Sequence, residues 1–86
     1  MPRYFFHTLH DHSVRDDKGE TLPGPGAAHR GALRIMGEII RDGQAGFLDV
    51  EGFRVLCTDG EGEIVVGLKA GRLEAAEAAA SLLRFK

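Results

Sequence analysis

The chain opens with a run of apolar and aromatic residues that is too short to form a helix. This run, Arg3–Leu9, is rich in side chains that strands favour, so it predicts a first strand. Two briefer extended segments follow at Val14–Asp16 and Glu20–Leu22. The residues between these two segments predict a tight turn, in which Gly19 takes a positive φ.

An amphipathic helix is predicted over residues 25–42, directly after the Pro-Gly-Pro-Gly run at positions 23–26. Pro25 suits the first helical position, and Gly43 is a natural C-cap in the left-handed conformation. Apolar residues at i, i+3 and i+4 spacing predict the face that contacts the sheet: Ala32, Leu33, Met36, Ile39 and Ile40.

The second half of the chain predicts another hairpin. Strands are expected at Phe53–Thr58 and Ile64–Lys69, because the Asp-Gly pair at positions 59–60 is a hairpin signal. The connector at residues 44–51 precedes them. Its expected anchors are Phe47, Leu48 and Val50.

The element order predicts an α+β fold, an antiparallel sheet of two hairpins with one amphipathic helix between them (β-β-α-β-β) and a C-terminal helix. Residues 1–86 are expected to form a single domain, with residues 72–86 as a helical tail. Matching periods in the strands and the helix predict the largely buried residues: Phe5, Leu33, Met36, Ile40, Val55, Ile64 and Val66.

The first strand is apolar on both of its faces, and one helix can cover only one face of a sheet. We expect the face of Tyr4 and Phe6 to be the uncovered one, and an apolar patch of this kind is unusual on a monomer. The Ala-rich tail is the nearest cover, and Gly71 gives it a hinge. These observations predict a homodimer. Its interface candidates are Tyr4, Phe6, Leu73, Ala76, Ala80 and Leu83.

Composition narrows the function classes. The 86 residues carry a net charge of −2 with no basic cluster, so nucleic-acid binding is not expected. No apolar run reaches the roughly 20 residues that span a bilayer. Cys57 has no partner for an internal disulfide, which favours a reducing cytoplasm.

Three histidines crowd into six positions near the end of the first strand. His10 and His12, on either side of Asp11, are the candidate metal ligands, because imidazole and carboxylate bind zinc, copper or nickel. No second cluster supplies the remaining ligands, so we interpret both as polar residues of a hairpin tip and expect no metal or cofactor. His7, on an apolar strand, is interpreted as a hydrogen-bonded core histidine.

The remaining reactive residues have structural interpretations. Arg30, Arg34 and Arg41 lie within about 40° of one another on the predicted helix and could meet phosphate, but a solvated helix face is the simpler interpretation. Cys57 is expected to be a small buried hydrophobe. The sequence has no nucleophile and base at a suggestive spacing, so an enzyme is not expected.

The opening PRYFFH at positions 2–7 resembles that of a family of small bacterial domains of unknown function. The resemblance extends through the D-x-x-G-x-x-L-P stretch that ends at Pro23, through Ala28-x3-Ala32-Leu33 in the helix, and into the second hairpin, covering about residues 2–68. It implies a fold and no activity. The tail from Arg72 lies beyond it.

Three functions remain open from the sequence. A non-enzymatic interaction or regulatory module of the cytoplasm is the first. A hairpin, a Leu-Pro pair and an amphipathic helix are also similar to HicB-type antitoxins, which bind a small toxin. A small metal-binding protein that uses the histidine cluster is the third.

Overall fold

The computed structural model describes residues 1–10, 12–42 and 51–85. Its strands are β1 (Arg3–Leu9), β2 (Ser13–Val14), β3 (Glu20–Thr21), β4 (Phe53–Thr58) and β5 (Ile64–Ala70). Its helices are α1 (Pro25–Arg41) and α2 (Ala75–Leu82), and a 3₁₀ turn (Leu83–Phe85) follows α2. The predicted α+β class is confirmed. The expected Gly43 cap and the anchors Phe47, Leu48 and Val50 lie outside the described residues.

The strands form one antiparallel sheet in the order β2-β1-β4-β5. Two central strands, β1 and β4, join the two halves of the chain, with Phe6 opposite Cys57 and His7 opposite Leu56. β2 pairs with the end of β1, and β3 pairs with the beginning of β1. Both short strands therefore pair with the same long strand. A register shift after Cys57 marks an irregularity in the β4–β5 ladder.

The core lies between α1 and one face of the sheet. Its buried residues are Tyr4, Ala28, Ala32, Met36, Val55 and Cys57. Burial of Met36, Val55 and Cys57 is predicted from the sequence and is confirmed, because these residues meet the helix and strand periods that the sequence shows. Val66 is partly buried and packs against the same core.

Small residues on α1 let the helix approach the aromatic side chains of β1 closely. A Cβ at Gly31 would lie 3.0 Å from the Cζ atom of Phe6, and Ala28 is completely buried beside Tyr4. The buried stripe of α1 is therefore rotated away from the predicted one. Leu33 and Ile40 are 61% and 43% exposed, so their predicted burial is wrong.

The face assignment of the sheet is the main correction. Tyr4 and Phe6 lie beneath α1, so the prediction that their face is uncovered, and that they line an interface, is wrong. Bulky rings on β1 match the Ala and Gly surface of α1, and this fit of large to small side chains selects the face. Phe5 is only half-buried and Ile64 is 65% exposed, so neither belongs to the core.

The terminal helix stands apart from this core. α2 begins at Ala75 rather than Arg72, and all of its residues are exposed. The chain has a radius of gyration of 15.0 Å and a longest dimension of 47 Å, whereas a compact chain of this length has a radius near ~12 Å. Among the described residues, the structure contains no helix with the length and apolar character needed to cross a membrane.

Candidate interaction surface

Within residues 1–10, 12–42 and 51–85, no helix covers the second face of the sheet, and we call this face the open face. Residues directly opposite one another in the ladder share a face, so the registers that place Val55 and Cys57 under α1 place their neighbours on the open face. Its members are Phe5, His7 and Leu9 of β1, Arg54, Leu56 and Thr58 of β4, and Ile64, Gly67 and Lys69 of β5.

His7 stands near the middle of the open face with both ring nitrogens engaged. The Asp16 backbone N–H donates to Nδ1 at 3.0 Å, and Nε2 lies 3.1 Å from the Thr58 hydroxyl. The first contact requires an unprotonated Nδ1, so the proton lies on Nε2, which donates to Thr58. The predicted hydrogen bonding of His7 is confirmed, but its place on the open face rather than in the core was not foreseen.

Asp16 fixes the loop between β2 and β3 against the strand. Its carboxylate accepts the backbone N–H of Phe6 at 3.1 Å, that of Lys18 at 3.1 Å and that of Gly19 at 3.0 Å. These bonds, with the Gly19 N–H the largest contributor, hold the pKa of the Asp16 carboxyl below its usual value, although partial burial opposes the shift.

Gly19 completes this loop. Its φ of 72° confirms the predicted positive angle. A Cβ there would lie 2.8 Å from the Tyr4 carbonyl oxygen and 2.9 Å from the Phe5 ring. The loop can therefore lie flat beside Phe5 only with glycine at this position.

Two adjoining shallow depressions occupy the open face. The larger, about 430 Å³, has His7, Leu9, Leu56 and Thr58 among its lining residues, with Arg15 at its border. The smaller, about 220 Å³, continues past Phe5. Acidic residues border only the smaller depression: Asp16, Asp17 and Asp59.

Charge is distributed unevenly along the open face. Arg54 and Lys69 are cross-strand neighbours at one end, and within the described part of the chain neither makes an ion pair. The acidic loops lie at the other end, beyond Thr58. An apolar centre between a cationic end and an acidic end suits a partner surface with the opposite arrangement of charge.

The predicted metal ligands do not come together as a described site. The His10 ring stacks on that of Phe53, with centroids 6.1 Å apart, and His12 is exposed. Within residues 1–10, 12–42 and 51–85, no three His, Cys, Asp or Glu side chains are grouped so that they could hold a metal ion. Asp11 lies outside the described residues.

The arginine stripe of α1 is exposed to solvent, as its simpler interpretation expected. Arg34 lies 3.6 Å from Glu20, and Arg41 lies 3.6 Å from Asp42. Acidic neighbours therefore dilute the positive charge of this helix face.

The four interface candidates on the C-terminal tail are all exposed. A residue that contacts a second chain must be exposed on its own chain in this way. Leu73 and Leu83 are 51% and 67% exposed, and Ala76 and Ala80 lie on the exposed helix α2. Sequence reasoning missed Leu82 and Phe85, which are 58% and 84% exposed. Leu82 and Phe85 lie 9 and 12 residues after Leu73. At 100° per residue these spacings place both side chains away from the predicted stripe, so the apolar residues cover a wide arc of the helix.

Fold and surface together define a small α+β domain with one covered and one open sheet face. The chain belongs to the family described as a domain of unknown function (DUF6894), whose model matches residues 3–69. This match covers the sheet and α1 and ends one residue before the end of β5. The chain matches no curated protein and no solved structure.

Proposed function

We propose that this domain is a non-enzymatic interaction module of the cytoplasm that associates with itself through its open face. The observation that carries the proposal is the open face itself, an apolar centre with charged ends that no element of the described chain covers. Exposed apolar area of this kind marks association surfaces on soluble domains.

The chemistry of the open face supports binding rather than catalysis. His7 is the residue best placed to transfer a proton, but its two ring nitrogens are occupied by Asp16 and Thr58. These bonds orient the ring and connect β1, β4 and the loop of Asp16. They give His7 the role of holding the surface in shape.

Cys57 supports a reducing location. The thiol is completely buried in the core, and burial raises its pKa above the usual value, with the Asp59 charge adding to the shift. A single cysteine that has no disulfide partner in the chain is typical of proteins from a compartment in which thiols stay reduced.

Analytical ultracentrifugation over a range of protein concentrations tests the proposal. Ile64→Lys places a charge on the open face at a side chain that is 65% exposed, so the fold should tolerate it. Leu33→Lys is the matched control, since Leu33 is 61% exposed on the outer side of α1. We expect the native chain to dimerise, and Ile64→Lys to weaken the dimer at least about tenfold while Leu33→Lys does not. A native chain that stays monomeric, or equal weakening by both substitutions, would overturn the proposal.

A further inference from the structure

The isolated position of α2 requires a physical explanation. α2 has eight residues, and no residue of α2 is buried. Helices shorter than about 12 residues are marginal in water unless another surface stabilises them. A stable α2 therefore needs a contact that the described part of its own chain does not provide.

The composition of α2 shows what kind of contact it needs. The polar residues of α2 and of the 3₁₀ turn after it, Glu77, Ser81 and Arg84, cover only about 60° of the helix circumference. Ala and Leu fill the rest, and Leu82 and Leu83 are 58% and 67% exposed. A helix with so wide an apolar arc is one that proteins bury.

The same chain presents an apolar surface with matching charge. The open face has a shallow apolar centre around Leu56, and its cationic end carries Arg54 and Lys69. Glu74 is the N-cap residue of α2, and Glu77 lies in the first turn of the helix. An α2 helix laid on the open face with its first turn at the cationic end therefore places Glu74 beside Arg54 and Lys69 and the leucines against the apolar centre, with Glu77 on the outer side of the helix.

Resting on the proposed function, we infer that the occupant of the open face is α2 from a second copy of this chain. The two copies exchange their α2 helices, so each open face receives the partner's helix and each helix leaves its own body. Such an exchange is reciprocal and closes as a two-fold dimer.

The structure favours exchange between chains over folding back. The segment 71–74 between β5 and α2 is fully exposed, and it borders an open depression of about 440 Å³ that Lys69 of β5 and Glu77 of α2 also line. Among the described residues, Lys69 and Glu77 form no ion pair across this depression, and all of the residues of α2 are exposed. α2 thus extends from the body, and the elongated chain is the form that an exchanged dimer requires.

A complementation experiment tests the exchange. The donor-defective variant, Leu82→Lys with Leu83→Lys, removes the apolar surface of the terminal helix and leaves the open face unchanged. The acceptor-defective variant, Leu56→Lys with Ile64→Lys, introduces charge into the apolar centre of the open face and leaves α2 unchanged. One variant is labelled with ¹⁵N, and native mass spectrometry then distinguishes the mixed dimer from both homodimers. Circular dichroism confirms that each variant is folded, and Ile64→Lys alone replaces the double variant if Leu56→Lys unfolds it.

The exchange predicts that each variant alone is monomeric and that the mixture forms a heterodimer, because one intact helix-to-face contact survives in it. The heterodimer should have a dissociation constant at least about tenfold lower than that of either homodimer. Normal dimerisation of the donor-defective variant would show that open faces pair directly, which overturns the exchange and leaves the proposed function standing. Two monomeric variants that stay monomeric when mixed would also overturn the exchange, since α2 would then act only within its own chain.

Discussion

The ring of Phe6 lies against Gly31 of α1 so closely that a Cβ at Gly31 would be 3.0 Å from the tip of the ring. This contact decides which face of the sheet α1 covers. It also gives a physical reason for a glycine in the interior of a helix, where glycine costs about 0.5–1 kcal/mol relative to alanine.

The two glycines within α1 should respond oppositely to the same substitution. A Cβ at Gly37 would meet no atom of a neighbouring element within 4 Å, so Gly37→Ala should raise the free energy of unfolding by about 0.5–1 kcal/mol. Gly31→Ala forces the Phe6 ring to move and should lower it by about 1 kcal/mol or more. Urea denaturation measures both. Equal stabilisation by the two substitutions would contradict the close contact of Phe6 with α1.

Removing the Asp16 carboxylate should loosen the loop beside the open face. Asp16→Ala leaves the backbone N–H groups of Phe6, Lys18 and Gly19 without their acceptor and should cost about 1–2 kcal/mol. Asp17→Ala is the control, because the sole polar contact of the Asp17 side chain with the described residues is an ion pair with Arg15, in which both side chains are 84% exposed. Such pairs contribute little. Similar losses from both substitutions would contradict the anchoring role of Asp16.

The contribution of Asp16 should depend on pH. Because its pKa is lower in the folded chain than its ordinary value of 3.8, the unfolded chain binds more protons in this range, and the stability from Asp16 falls as pH falls. The contribution is present above 3.8 and is lost as pH drops through the lower folded value. The stability difference between the native chain and Asp16→Ala should therefore narrow in acid. A difference that is constant from neutral pH into this range would contradict the charged hydrogen bonds.

Cys57 should report opening of the core. The thiol is completely buried and its pKa is raised, so iodoacetamide should modify it slowly in the native chain and quickly in denaturant. The modification rate should rise in Gly31→Ala, which weakens the core above it, and stay unchanged in Leu33→Lys. Rapid native modification would show that the α1 face of the sheet is not closed.

The secondary structure could be predicted closely because each element has its own local signal. Phe53–Thr58 is confirmed to the residue, Gly19 takes its positive φ, and α1 begins at Pro25 as expected. The choice of covered face could not be predicted in this way, since β1 is apolar on both sides and its period is the same for either choice.

The residue pattern that indicates which face of the sheet α1 covers lies in the helix itself. Ala28, Gly31 and Ala32 form a stripe of small residues that extends the predicted face on the side away from Leu33 and Ile40. Such a stripe leaves room for large rings on the facing strand, and Tyr4 and Phe6 place two bulky rings on one face of β1. The candidate site was missed for a different reason. The bonds of His7 to Asp16 and Thr58 join residues 9 and 51 positions apart, and no local pattern shows them.

Hydrogen–deuterium exchange of the α2 backbone amides tests the central claim most directly, at two protein concentrations that differ by about a hundredfold and lie on either side of the dimer dissociation constant from ultracentrifugation. A dimer in which the partner's open face holds α2 predicts protection of residues 75–82 that rises with concentration, together with increased protection of β5 at the edge of the sheet. Protection of α2 that is absent at both concentrations, or equal at both, would contradict the account, because a second copy would then not be what stabilises the helix.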